Sequence, residues 1–183
     1  MSATAQSDGL LDRVPVVQGA IVGVGAFVAG YLLTFVLAAI DSDLGDTESS
    51  SFDATGWLYY GAHFADIELD TPIGSETMNF LSEASTQFPT VVYYLVPVVV
   101  LVASGFVLAK LFASGDEVAD SAIAGAGVVA GYLPLALVGT FLFSESEEFG
   151  SVSPDLVTGV LLVGLVFPIV LGAVGGIVAA KTE

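Results

Sequence analysis

His63 is the single histidine of the chain, and Asp66, Glu68 and Asp70 follow it at alternating positions. An imidazole beside carboxylates is the chemistry of a divalent-cation site, which needs three or more convergent ligands. The spacing here fits no defined ligand motif, and no metal is expected. A second acidic group, Asp41, Asp43, Asp46 and Glu48, has its glycine at the fifth position, whereas a calcium loop turns on a glycine at the sixth. These carboxylates are read as solvated. Tyr31 and Tyr132 supply phenols at a depth in their apolar runs similar to that of Pro97, Pro134 and Pro168. Prolines inside a helix free backbone carbonyls. The five residues therefore form either a candidate vestibule opening outward or kinked packing in which the phenols bond the freed carbonyls.

Covalent chemistry has few parts to work with. There is no cysteine, which removes thiolate nucleophiles, thiolate metal sites and disulfides. Nucleophile-elbow, phosphate-loop, dinucleotide and zinc-hydrolase motifs are absent. The expectation is a protein that is not an enzyme, with no catalytic residue and no cofactor. Twenty acids against three bases, a formal net charge of −17, also speak against nucleic acid as a partner, because phosphates demand basic patches.

The elements that position these residues are set by hydropathy. With a mean hydropathy of +0.87, the chain has four apolar runs, at 14–40, 90–112, 121–143 and 156–180, each free of Asp, Glu, Lys, Arg and His. Each exceeds the roughly 20 residues needed to cross about 30 Å of hydrocarbon. The first is too long for the apolar part of a signal peptide and is read as a retained span. The absence of intramembrane charge disfavours proton-coupled transport. It leaves passive passage of a small neutral solute open.

Arg13, Lys110 and Lys181 are the only basic residues, and each lies at one end of a run. Because Lys and Arg in short loops stay in the cytoplasm, the expected topology is a cytoplasmic tail at 1–13, an inner turn at 113–120 and a cytoplasmic C-terminus in the cell membrane. Residues 41–89 then form a long outer loop, which carries half of the chain's acids, and 144–155 a short one. In the long loop Trp57, Tyr60 and Phe64 fall at helical spacing, which predicts an interfacial helix on the outer leaflet or, alternatively, a short helix packed on the span ends. Ser75 is read as the cap of a second short helix reaching Glu83.

Two further patterns concern packing. Val28-Ala29-Gly30-Tyr31-Leu32 recurs as Val129-Ala130-Gly131-Tyr132-Leu133, and the stretch from Pro97 to Lys110 aligns with that from Pro168 to Lys181 without a gap. Two helical hairpins repeated in parallel, related by an axis along the membrane normal, would produce this. Small residues four apart, Gly19/Gly23 with Gly30 in the first span, Gly105 in the second, Gly127/Gly131 in the third and Gly172/Gly176 in the fourth, allow close helix contact. They serve packing within the bundle or an oligomer interface.

The expected fold class is thus all-α, a four-helix transmembrane bundle of two parallel-repeat hairpins with a long acidic outer loop. With Arg13, Lys110, Lys181, the acidic loop and the glycine-rich spans in view, the chain resembles the small multi-pass membrane proteins of unknown function common in haloarchaea, some of them labelled transporters. A surface rich in Asp and Glu and nearly free of Lys suits molar salt, where repulsion is screened within a few ångströms. The layout, with Gly56-Trp57-Leu58 in the first outer loop, is also similar to claudin-like tetraspans, although the paired cysteines of that family are missing and no functional residue carries over. Two functional readings follow: a transporter-like or channel-like protein for a small solute, and a structural or accessory tetraspan whose outer loop binds a partner. Beyond the lipid bilayer, the expected partners are a second copy or another membrane protein.

Overall fold

The computed structural model describes residues 14–41, 43–44, 51–115, 117–147 and 150–182. Arg13, Asp46 and Glu48 lie outside them. Four helices are long and apolar enough to cross a membrane: Val16–Ile40, Val91–Phe112, Val118–Leu142 and Leu156–Lys181. Only 28% to 44% of each one's most apolar stretch is buried. Ile21, Leu33, Val36, Val99, Phe141 and Leu161 are among the large apolar side chains left on the outside. Water would penalise so wide an apolar belt, whereas hydrocarbon accepts it.

The first span is one helix, α1 (Val16–Ile40), and after the shorter helices α2 (Ser51–Gly61) and α3 (Phe80–Glu83) the second span is α4 (Val91–Phe112). The third is broken into α5 (Val118–Ala126) and α6 (Val129–Leu142), and the fourth runs from a single turn, α7 (Leu156–Thr158), through a π-helical stretch at Gly159–Val166 into α8 (Phe167–Lys181). The break in the third span is a local tightening, in which Gly127, Val128, Ala130 and Gly131 each donate to the carbonyl three residues back. Span one lies against spans two and three, span four against spans two and three, and α4 also meets α5. Lys110 and Lys181 each occupy the last turn of their helix, where a cation complements the carbonyl end of the helix dipole.

Glycine makes the closest contacts. A Cβ on Gly19 would strike the Gly127 carbonyl, one on Gly131 the Ala20 carbonyl, and one on Gly105 the Gly172 carbonyl. Gly172 itself faces the Gly125 carbonyl, and Gly176 lies against the Ser121 backbone. Helix backbones in lipid associate through such contacts, since no hydrophobic force draws them together. Gly23 and Gly30 of α1 also make close contacts, each with a different kind of neighbour. Gly23 is buried in α1, and a Cβ there would strike the Val128 carbonyl and the Tyr132 nitrogen, so its close partner is the backbone at the break of the third span rather than a matching glycine alone. With that space filled from within the bundle, Gly23 offers no surface to a second copy. Gly30 differs again, because its neighbour is the Tyr59 ring of α2 rather than another span.

The loops correct two expectations. The fold is mostly helical but not all-α, since the segments that join the first span to the second and the third to the fourth build a four-stranded antiparallel sheet from β1 (Ile67–Thr71), β2 (Gly74–Met78), β3 (Glu145–Glu147) and β4 (Gly150–Pro154), in the order β2-β1-β4-β3. Ile67-Glu68-Leu69-Asp70 alternates with the strand period, and Pro72-Ile73 closes the hairpin to Gly74, which takes φ 149°. Ser75 therefore sits in a strand. The short helix begins after Asn79, whose side chain accepts from the Ser82 N–H as cap and donates to the carbonyls of Gly61 and Ala65. Pairing of β1 with β4 ties the two loops into one cap at a single end of the bundle.

Candidate functional site at the junction of cap and bundle

The aromatic stretch forms the expected helix, and of its two expected placements the structure shows the one packed on the span ends. Trp57 and Tyr60 of α2 are buried rather than placed at the headgroup level, and of the three interfacial candidates only Phe64 remains exposed. The reason is hydrogen bonding: the Trp57 indole N–H donates to the Phe143 carbonyl at 2.8 Å, and the Tyr60 hydroxyl donates to the Ala136 carbonyl. Both acceptors belong to the third span or its end. A buried polar group needs such a partner, and residues 136 and 143 offer carbonyls on the face where α2 enters. Phe143 also stacks on Tyr31 with its ring 5.3 Å away, and the Tyr31 hydroxyl donates to the Phe52 carbonyl at 3.0 Å.

At its C-terminal end α2 delivers a closed hydrogen-bonded ring. Tyr59 and His63 are four residues apart and share one helix face, and His63 Nδ1 lies 2.7 Å from the Tyr59 carbonyl. A carbonyl only accepts, so Nδ1 carries the proton and Nε2 is the acceptor. The Tyr132 hydroxyl, 2.8 Å from Nε2, donates to it. The Tyr59 hydroxyl in turn donates to the Tyr132 oxygen. All three side chains are fully buried, with Phe27 of α1 edge-on to both tyrosines and Phe167 of α8 4.9 Å from the imidazole. Burial pulls the His63 imidazole down to about 4, against the raising effect of its bond to the Tyr59 carbonyl. The ring thus holds a neutral histidine.

The turn that follows fixes this geometry. The Ala65 N–H bonds the Tyr60 carbonyl and the Phe64 N–H bonds that of Gly61, a Schellman closure in which Phe64 takes the left-handed φ of 61°. Glycine is the usual occupant of that position, and a bulky residue there is strained. Phe64 is held by stacking on Tyr94, 4.7 Å away.

Asp41 is the second polar anchor, and the expectation of a solvated carboxylate is corrected for it. At the end of α1 it is buried, accepting from the Gln87 N–H at 2.8 Å, the Asp43 N–H at 3.2 Å, the Tyr93 hydroxyl at 3.0 Å and the Phe88 N–H. Burial pushes its carboxyl upward, but these donors outweigh it and hold it below the usual range. Asp155 is likewise held low against its burial by the N–H and hydroxyl of Thr158, which it caps.

The residues of the candidate vestibule are placed as follows. Tyr132, Pro97 and Pro168 are buried, Pro97 inside α4 and Pro168 in the first turn of α8. Tyr59 and His63 bond the Tyr132 hydroxyl, Tyr60 bonds the Ala136 carbonyl, and Tyr59 also meets Tyr31 edge-on. The carboxylates after His63 do not join it, since Asp70 accepts from Ser75 and Asp66 joins Thr158 and Asp155 through its backbone. Among the described residues no group of three or more His, Asp or Glu is arranged to hold a metal ion. Nothing local marks Asp41 as an anchor, and the only signal in the sequence for Tyr59 is its four-residue spacing from His63.

No curated protein and no solved structure matches the chain. A family model described as a family of unknown function, DUF7978, matches residues 1–183. From end to end, the chain belongs to the DUF7978 family.

Proposed function

We propose that this protein is an integral protein of the cell membrane with both termini in the cytoplasm, and that it acts without catalysis as an accessory or structural tetraspan whose outer cap contacts a partner membrane protein. The observation that carries the reading is α2: its Tyr59, Tyr60 and His63 are buried against the third span and hydrogen-bonded to Tyr132 and to the Ala136 carbonyl. Side chains packed and bonded at this level favour a structural role over a solute path. Orientation is supported by Lys110 and Lys181 at the helix ends away from the cap. A contact point is offered by Ile73, 98% exposed at the tip of the acidic β1-β2 hairpin. A transporter-like or channel-like reading for a small solute is favoured by one feature, the π-helical Gly159–Val166 stretch, since such stretches gather at functional sites. That reading requires α2 to leave its seat.

Because the chain has no cysteine, single cysteines at Ser75 and Ser114 report sidedness directly: an impermeant maleimide on intact cells is expected to label Ser75→Cys and to spare Ser114→Cys. Labelling of Ser114→Cys from outside overturns the topology. A photo-crosslinking residue at Ile73 is expected to give one discrete adduct in native membranes, while proteoliposomes show no solute-driven swelling. Swelling that falls in Tyr132→Phe, with no adduct from position 73, overturns the accessory reading in favour of transport.

A further inference from the structure

Between the sheet and the helices of the cap lies a cavity of about 330 Å³. Its roof is one face of the sheet. Ile67 pairs with Met78 and Leu69 with Val152, and directly opposed residues share a face, so all four side chains point to the same side. Trp57 of α2 and Phe80 of α3 form the opposite wall, 5.4 Å apart ring to ring. The mouth is different in character, being lined by the exposed Asp43 and Glu83 with Ser85. Leu69, Met78 and Val152 of the roof and Phe80 of the wall are only partly buried, so the apolar lining is incompletely covered.

The charge around the mouth is one-sided. Neither 41–89 nor 144–155, the segments that make the cap, contains a single Lys or Arg. An anionic ligand would meet repulsion there, and a neutral one would make no use of the two carboxylates. Binding pockets of this size bury an apolar body and orient it through a few polar groups at fixed points. We propose that the cap cavity binds a small organic cation with an apolar body, the alkyl or aromatic part against Trp57, Leu69 and Val152 and the ammonium group between Asp43 and Glu83. The site lies in the cap beside the seat of α2 and not along the bundle interior, so it does not depend on whether the spans pass a solute.

Trp57 is the only tryptophan and forms a wall of the cavity, so its fluorescence reads occupancy in the full-length protein. Three bromoalkyl probes of equal chain length, a trimethylammonium, an alcohol and a sulfate, are titrated below their micellar concentrations into protein held in neutral detergent. The trimethylammonium probe is expected to quench Trp57 saturably and the sulfate at least tenfold more weakly. Ala84→Phe, which fills the cavity from its wall, is expected to abolish saturable quenching. The paired exposed changes Asp43→Asn and Glu83→Gln, which touch no core contact, are expected to weaken the ammonium probe by about tenfold, the effect of two surface-screened charges. Equal quenching by all three probes overturns the cationic class. Saturable quenching that survives Ala84→Phe, in a variant whose melting temperature matches the parent, overturns the cavity.

Discussion

The imidazole Nε2 of His63, carried in by the cap, lies 2.8 Å from the hydroxyl of Tyr132 in the third span. One polar contact therefore joins a loop residue to a membrane helix, and it does so on a hydrogen-bonded circuit with one allowed direction. Protonating Nε2 would make both ring nitrogens donors, and Tyr132 would have to turn its own proton toward Tyr59. Burial together with this circuit favours the neutral ring.

A pH dependence follows. His63 is an ordinary histidine near 6.5 in the unfolded chain and sits at about 4 in the fold. Between these values the unfolded chain binds the extra proton, so this contribution is complete above about pH 6.5 and is lost as pH falls toward 4, by at most about 3 kcal/mol. Melting temperatures from pH 7.5 to 4.5 are expected to fall for the parent and to change much less for His63→Gln. Tyr132→Phe is expected to cost about 1–3 kcal/mol at neutral pH by leaving Nε2 and the Tyr59 hydroxyl without their partner. A parent protein with a flat profile over this range would contradict the neutral ring.

Asp41 titrates in a lower window. A carboxyl held below its unfolded value contributes stability at every pH above about 4 and loses it only as pH falls further, through the folded value. Asp41→Ala is expected to destabilise the fold by about 2–4 kcal/mol, since it strands the Gln87 N–H and the Tyr93 hydroxyl, and Tyr93→Phe by about 1 kcal/mol. Chemical denaturation at pH 7 measures both, and the Asp41→Ala penalty is expected to shrink below pH 4.

Glycine substitutions separate packed from lipid-facing positions. A Cβ on Gly131 meets the Ala20 carbonyl and the Val24 nitrogen, while one on Gly25 meets nothing within 4 Å. Gly131→Ala is expected to cost about 1–3 kcal/mol by overpacking, and Gly23→Ala a similar amount against the Val128 carbonyl. Gly25→Ala is expected to be neutral or to gain up to about 1 kcal/mol from helix propensity. Thermal unfolding of the three variants in one detergent makes the comparison. Equal effects would mean that α1 and α6 do not meet at Gly131.

The net charge of −17 predicts a salt requirement. Lowering salt from molar to about 0.1 M lengthens the screening distance from about 3 to 10 Å, and the acids of the cap then repel one another. The melting temperature is expected to fall over this range and to be restored by added sodium chloride. Invariance would show that the acids do not limit stability.

The sequence by itself determined the membrane part. An uninterrupted apolar run longer than the hydrocarbon is a local property, read residue by residue, and the runs at 14–40, 90–112, 121–143 and 156–180 needed no knowledge of their neighbours. A helix around Trp57 was legible from spacing in the same way, but which of its faces would be buried was not. Spacing specifies a stripe and says nothing about what meets it, and Trp57 and Tyr60 turn inward because the carbonyls of Phe143 and Ala136 await them. The same holds for Gly23, whose spacing from Gly19 marks a close contact without saying that the Val128 carbonyl makes it.

Only the tertiary structure decided the cap. The strand at Ile67 finds its partner at Pro154, far along the chain and two spans later, and such pairing is chosen by the bundle that brings the two loops together. Local signals at 75–83 are equally good for a capped helix, and it is the Pro72-Ile73 turn with its partner strand that takes Ser75 instead. Asp41 looked like one more acid in a solvated run until the fold placed Gln87, Phe88 and Tyr93 around it. Hydropathy decides which residues leave water, because that choice is made one residue at a time. Which polar partner a buried Tyr, His or Asp will find depends on two distant segments arriving together, and that is settled only when the chain has packed.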